Sequence, residues 1–128
     1  MSNSRTEWEK HVLKPGEVYA GLILGQKGEK DYHLILLPGD AKYRTFKQAQ
    51  EFAKKAGVDL PTRREQSLLF ANCKDQFQSP TYWSGEQHAE HSAYAWTQGF
   101  KNGYQTYHYA YDRFRTRAVR RIYIEEQP

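Results

Sequence analysis

Short apolar runs alternate with polar punctuation along this chain, and the period of each run predicts an element. Residues 17–25 (EVYAGLILG) and 31–37 (DYHLILL) are strand-length apolar runs. The polar QKGEK between them, with Gly28 able to take a positive φ, predicts a hairpin, and Pro38-Gly39 closes it. Helical spacing follows. Phe46, Ala49, Ala53 and Ala56 recur behind the Thr45-Phe46-Lys47-Gln48 capping box, with Phe52 at the edge of that face and Gly57 as the stop. A second box, Thr62-Arg63-Arg64-Glu65, opens a helix with Leu69, Phe70, Cys73 and Phe77 on one side, which Ser79-Pro80 ends. Beyond it the reading is short strands over 82–84, 93–100, 104–111 and 115–124, with Asn102-Gly103 as a hairpin turn between the second and third. Residues 1–15 are polar, end at Lys14-Pro15-Gly16, and read as an arm that packs weakly or frays. The expectation is an α+β chain with an N-terminal arm over 1–15 and a single domain over 16–128.

Composition narrows the classes. At 128 residues the length fits one domain, and aromatics at 15% exclude a disordered composition. No apolar run reaches the roughly 18–20 residues of a membrane-spanning helix, and the first residues lack the apolar core of a secretory signal. Cys73 is the single cysteine, so no internal disulfide forms and cysteine-based zinc sites lack their ligands. Its place on the apolar helix face predicts an inert core thiol in a chain suited to a reducing compartment. The net charge of +4 is uneven: residues 1–112 carry 14 basic and 13 acidic side chains, residues 113–128 five arginines and two glutamates. That is a modest footprint for a dedicated nucleic-acid binder.

Candidate chemistry concentrates toward the C-terminus, where 12 of the 19 aromatics lie from Phe77 onward, seven of them tyrosines. Period-two alternation over 104–111 puts Tyr107, Tyr109 and Tyr111 on one face with Gln105, and Tyr104 on the other with His108. Tyrosine joins a large contact area to a polar tip at small entropic cost, so such a face suits partner recognition. The competing reading is that the rings only cover the edge of the core. Arg113, Arg115 and Arg117 alternate along the final strand, continued by Arg121, as an exposed row that suits an acidic protein or phosphates, or simply discourages edge pairing. Arg120 falls in the opposite, apolar row. It therefore needs a carboxylate partner if the strand is regular, or a bulge that turns it outward. Glu86, His88, Glu90 and His91 could ligate a metal by residue type, but their spacing is not that of a metalloprotease helix and they read as a solvated loop. No phosphate loop, nucleophile elbow or Cys/His pair is present, so neither a catalytic residue nor a cofactor is assigned.

Four motifs in order carry a family resemblance: LPTRREQ (60–66), YWSGEQH (82–88), AYAWTQGFKNG (93–103) and RTRAVRRI (115–122). Together they resemble the bacterial and phage domain family typified by the C-terminal domain of the Legionella collagen-like protein. The opening GEVYAGLILG with DYHLILLPG resembles its short, single-domain versions from phages and prophages. The resemblance spans about Gly16 to Ile124. It implies a C-type-lectin-like fold, related to formylglycine-generating-enzyme and retroelement-target domains, with two helices packed with small antiparallel sheets. It implies binding rather than a reaction. The Glu-Pro-Asn and Trp-Asn-Asp motifs of calcium-dependent lectins are absent, as is the cysteine pair of the formylglycine enzymes. Trp83 and Trp96 lie in the shared motifs, where a large ring would fill the space between helices and sheet. Glu65 and Arg120 also lie in shared motifs, which makes Glu65 the expected partner of Arg120. In the retroelement-target relatives the corresponding C-terminal region carries the diversity, which favours the tyrosine face as a binding surface. The resulting expectation is a non-enzymatic binding module of phage or prophage type, in the bacterial cytoplasm or on a virion. It would recognise a protein through Tyr104, Tyr107, Tyr109, Tyr111, Arg113, Arg115 and Arg117. A nucleic-acid accessory role is the second reading and a calcium-independent glycan-binding virion domain the third.

Overall fold

The computed structural model describes residues 4–78 and 80–125. Two sheets and three helices make up the described chain, which is α+β as the sequence predicts. The first hairpin forms from β1 (Val18–Ile23) and β2 (Tyr32–Leu36), and β8 (Val119–Tyr123) adds to β2 to give an antiparallel sheet in the order β1-β2-β8. The second sheet runs β3-β7-β4-β5-β6, with β3 (Ala41–Arg44), β4 (Thr81–Gln87), β5 (Tyr94–Gly99), β6 (Gln105–Tyr109) and β7 (Phe114–Thr116). All its neighbours are antiparallel except β4 and β7, which meet in parallel at Tyr82 and Arg115.

Both capping boxes form. Thr45 Oγ1 accepts from Gln48 N and Gln48 Oε1 from Thr45 N, opening α2 (Phe46–Lys55). Thr62 and Glu65 do the same for α3 (Arg63–Cys73), which runs on into a single 3-10 turn at Lys74–Gln76. Helix α2 buries Phe46, Ala49 and Ala53, while Ala56, expected on that face, is exposed at the helix end. Helix α3 lies against β1 at Gly21, where the register of β1 against β2 slips by one residue. Gly21 has φ +135°, and a Cβ there would sit 3.1 Å from Leu68 and Asn72 side-chain atoms, so only glycine lets the helix approach. Asn72 Nδ2 donates to the Ala20 carbonyl in this bulge at 2.6 Å.

Two apolar clusters fill the interior. One joins Leu34 and Leu36 of β2 to Leu69, Cys73, Tyr82, Phe100 and Val119. The other joins Phe46, Ala49 and Ala53 of α2 to Leu60, Trp83 and Ala95. Trp83 is fully buried as expected, and its Nε1–H donates to the Arg44 carbonyl at 2.6 Å. Cys73 is buried, and burial raises its thiol pKa.

Three expectations change. First, residues 4–12 of the arm, expected to pack weakly or fray, form a helix, α1 (Ser4–Val12). Its Trp8 ring lies 4.4 Å from His33 and 5.3 Å from Tyr19, on the outer face of the small sheet. Ile35 has the same strand parity as His33 and is completely buried, so that face is not left to solvent.

Second, residues 115–124 are not one strand. The chain leaves the larger sheet after Thr116 and enters the smaller one at Val119, so alternation does not carry across 117–118.

Third, the parity of β8 is therefore the reverse of the expected one. Val119 and Arg121 pair with Leu36 and Leu34 on the core side, while Arg120 pairs with Ile35 on the α1 side. The partner of Glu65 is Arg121, not Arg120. Arg121 Nε and Nη2 reach the two Glu65 oxygens at 2.6 and 2.8 Å, and Arg120 binds Glu17 at 2.8–2.9 Å and the Val12 carbonyl. Glu65, fully buried, also accepts from Tyr32 Oη and Thr62 N. Burial alone would raise the Glu65 pKa, but Arg121, Tyr32 and Thr62 together hold it below the usual carboxylate range.

Candidate aromatic interface

The Asn102-Gly103 turn sets the site. Gly103 sits at φ +83° against the Phe70 ring, and Gly99 N donates to Tyr104 O, which fixes the register of β5 against β6. Tyr94 is thereby opposite Tyr109, Trp96 opposite Tyr107, and Gln98 opposite Gln105. Directly opposed residues share a face, so two strands each contribute one side of a ring ladder. Tyr94 and Tyr109 lie 4.6 Å apart, Trp96 and Tyr107 5.2 Å, and the diagonal Tyr94–Tyr107 contact is 5.2 Å edge to face. Just past β6, Tyr111 stacks on Tyr109 at 4.9 Å. The Tyr94 phenol is pushed above its ordinary value, mainly by its hydrogen bond with Tyr109.

The β4–β5 connection lays two imidazoles on the same ladder. His88 stacks on Trp96 at 5.3 Å and meets Tyr107 edge-on, and His91 lies 5.1 Å from His88. His88 Nδ1 accepts from Glu90 N. At the other end the Arg63 guanidinium lies 3.5 Å over the Trp96 ring. Gln105 clamps this arginine: its Oε1 accepts from Arg63 Nε at 3.3 Å, and its Nε2 donates to the Arg63 carbonyl at 2.7 Å. Arg63 N donates to Glu86 Oε2. The ladder thus joins the start of α3, the β4–β5 connection and the edge hairpin.

The expected site residues divide. Tyr107, Tyr109 and Tyr111 are brought together and are 44%, 42% and 69% exposed. Tyr104 is 72% exposed but makes no ring contact with the ladder among the described residues. Arg113 is exposed in the turn after Tyr111. The other two arginines do not form an exposed row. Arg115 pairs with Asp40 at 3.1 Å, and Asp40 also accepts a short hydrogen bond from Tyr82 Oη. Arg117 is only 7% exposed and donates to the Gln76 and Leu37 carbonyls, because the crossover between sheets turns it inward. Burial lowers its pKa.

Trp96 corrects the expectation of a core ring. It is half-buried on the outer face, while its neighbours Ala95 and Thr97 point inward. Size favoured the core, but parity decided. The sequence assigns no role to Tyr94 or Arg63 and reads His88 as part of a solvated loop, whereas its ring packs on Trp96 and Tyr107. The register implied by Asn102-Gly103 was the signal that could have placed Tyr94 and Trp96 opposite the tyrosines; nothing local points to Arg63. Among the described residues no group of three or more His, Cys, Asp or Glu side chains could hold a metal ion, and no helix is long and apolar enough to cross a membrane.

No protein-family model matches the chain, and no curated protein matches it.

Proposed function

We propose that this chain is a non-enzymatic binding module of C-type-lectin-like architecture and phage or prophage type. It acts in the cytoplasm of a bacterial host or as a virion accessory, and it recognises a protein partner. The observation that carries the reading is the continuous, partly exposed ladder of Trp96, Tyr107, Tyr94, Tyr109 and Tyr111 on the edge hairpin. Most of these rings are locked by mutual contact on a paired hairpin, so binding costs little ordering entropy, and their hydroxyls supply adaptable hydrogen bonds. The binding surface of this proposal keeps Tyr107, Tyr109 and Tyr111. It gains Tyr94, Trp96, His88 and Arg63, and it leaves out Arg115 and Arg117, whose guanidinium groups are bonded within the domain.

The test is capture from bacterial lysate by the tagged protein, with and without nuclease and at two salt concentrations, compared with a variant carrying Tyr107→Ser, Tyr109→Ser and Tyr111→Ser. A discrete protein retained through nuclease and salt by the parent, and lost by a variant of unchanged circular dichroism, is the expected result. Capture that disappears with nuclease or moderate salt moves the function to nucleic acid. Retention on a cell-surface polysaccharide without calcium moves it to a glycan-binding virion domain.

A further inference from the structure

Resting on the ladder as the binding surface, we infer that Arg63 is a carboxylate-recognition point at its end, and that the partner presents an acidic side chain beside apolar or aromatic contacts. This arginine differs from the other half-buried or buried arginines. Arg115, Arg117, Arg120 and Arg121 each commit at least one terminal Nη nitrogen to an oxygen of this chain. Arg63 is held as firmly as any of them, but by other atoms. Its guanidinium face rests on Trp96, its Nε is fixed by Gln105, and its backbone N and O are bound by Glu86 and Gln105. Among the described residues neither of its Nη nitrogens has a hydrogen-bond partner. A guanidinium stacked through its face presents its remaining N–H groups in the plane of the fork, the geometry that matches a carboxylate with two parallel hydrogen bonds. Most of the ordering cost of that arrangement is already met within the fold.

The neighbourhood selects the class of anion. Trp96 lies under the guanidinium and Tyr107 packs edge-on against Trp96, which favours an apolar or aromatic flank. A groove that tracks a nucleic-acid backbone needs several cations in succession. Of Arg113, Arg115 and Arg117, the last two are turned into the domain and Arg113 alone stays exposed. The contacts around Tyr107 are edge to face, and where ladder rings stack in parallel, His88 on Trp96 and Tyr111 on Tyr109, the facing ring belongs to this chain and not to a base. With a chain carrying +4 overall, an acidic protein segment is the complementary partner.

The probes are two short synthetic peptides, one alternating glutamate with tyrosine and one alternating glutamine with tyrosine, together with a short oligothymidylate. Each is titrated into the full chain while the Trp96 indole N–H and Arg63 Nε–H signals are followed by NMR. The acidic peptide is expected to shift both signals saturably and about tenfold more tightly than its glutamine counterpart. Arg63→Met should bring the acidic peptide down to the glutamine level. Arg63→Lys keeps the charge without the planar fork, and should lose most of the preference while keeping a parent-like spectrum. Equal binding of the two peptides overturns the carboxylate assignment and leaves the ladder standing. Tighter binding of the oligothymidylate to the same signals overturns it in favour of phosphate. No response of any ladder signal to any probe overturns both this assignment and the ladder as the binding surface.

Discussion

Glu65 shows at the scale of one residue how a carboxylate can be fully buried in so small a domain. Four donors reach it: two from Arg121, one from Tyr32 and one from the backbone of Thr62. The same side chain closes the capping box of α3 and ties that helix to β2 and β8, so its role is architectural. Removing the buried partner leaves the Arg121 cation only the exposed Asp59 carboxylate at 2.7 Å, which costs more than the buried pair itself contributes. Glu65→Gln should therefore destabilise the domain by about 3–5 kcal/mol in urea or guanidinium unfolding. Adding Arg121→Met to Glu65→Gln should recover part of the loss, because the stranded cation goes too. An equal loss in the double variant would show that packing, not charge, dominates there.

At the scale of elements, helix α3 positions most of the site. Its first residue is Arg63, Leu68 and Asn72 of its second and third turns pack on Gly21 of β1, and Phe70 fills the space behind the Asn102-Gly103 turn. Loss of its cap should weaken all three together. Thr62→Ala is expected to cost about 1 kcal/mol, read as a lowered unfolding midpoint with an unchanged denaturant slope. It should also broaden the Arg63 Nε–H signal as the first turn loosens. A midpoint shift with Arg63 undisturbed would separate the helix start from the geometry of the ladder. The crossover at 117–118 is the second decisive element. It assigns β7 and β8 to different sheets and so sends Arg115, Arg117, Arg120 and Arg121 to different interior partners.

For the whole molecule these interior groups set the response to pH. Glu65 is held low against its own burial, and Glu17 is held low chiefly by its hydrogen bond with Arg120. The unfolded chain therefore takes up protons at these carboxylates before the folded one does, and stability falls with acidification from the ordinary carboxylate value down through the lowered one. His33, lowered by burial beside Tyr19, acts in the same direction from about pH 6.5 downward. At the alkaline end Tyr82, pushed up from 10.0 to about 12 by burial and by its hydrogen bond to Asp40, keeps its proton longer in the folded state. Its contribution is present below pH 10 and is lost as pH rises through 12. Thermal unfolding across pH should thus give a plateau between roughly neutral pH and pH 9, the ordinary value above which the raised Cys73 thiol begins to lose its contribution, with losses on both sides. Substituting Glu17→Gln should shallow the acid limb; an unchanged limb would assign acid lability to other groups.

Much of the fold is legible along the chain because its signals are local. Two capping boxes, glycine-centred turns in the β1–β2 and β5–β6 hairpins and the spacing of apolar residues need only nearest neighbours to act, and they give both longer helices and these two hairpins. Part of the ladder is legible for the same reason: Tyr107 and Tyr109 share a face by strand parity, while Tyr111, past the end of β6, joins them by stacking on Tyr109. What the tertiary structure decides is where parity restarts and which distant element supplies a partner. The chain changes sheets after Thr116, so Arg121 and not Arg120 meets Glu65, and Arg117 turns inward. Trp96 lies on the surface although its size argues for the core, because its inward neighbours are Ala95 and Thr97. Arg63 reaches Trp96 and Gln105 across 33 and 42 residues of sequence, a distance over which no local propensity acts. Backbone pairing and short-range sterics fix the elements. Burial of charge and the closing of long-range contacts fix what those elements present to a partner.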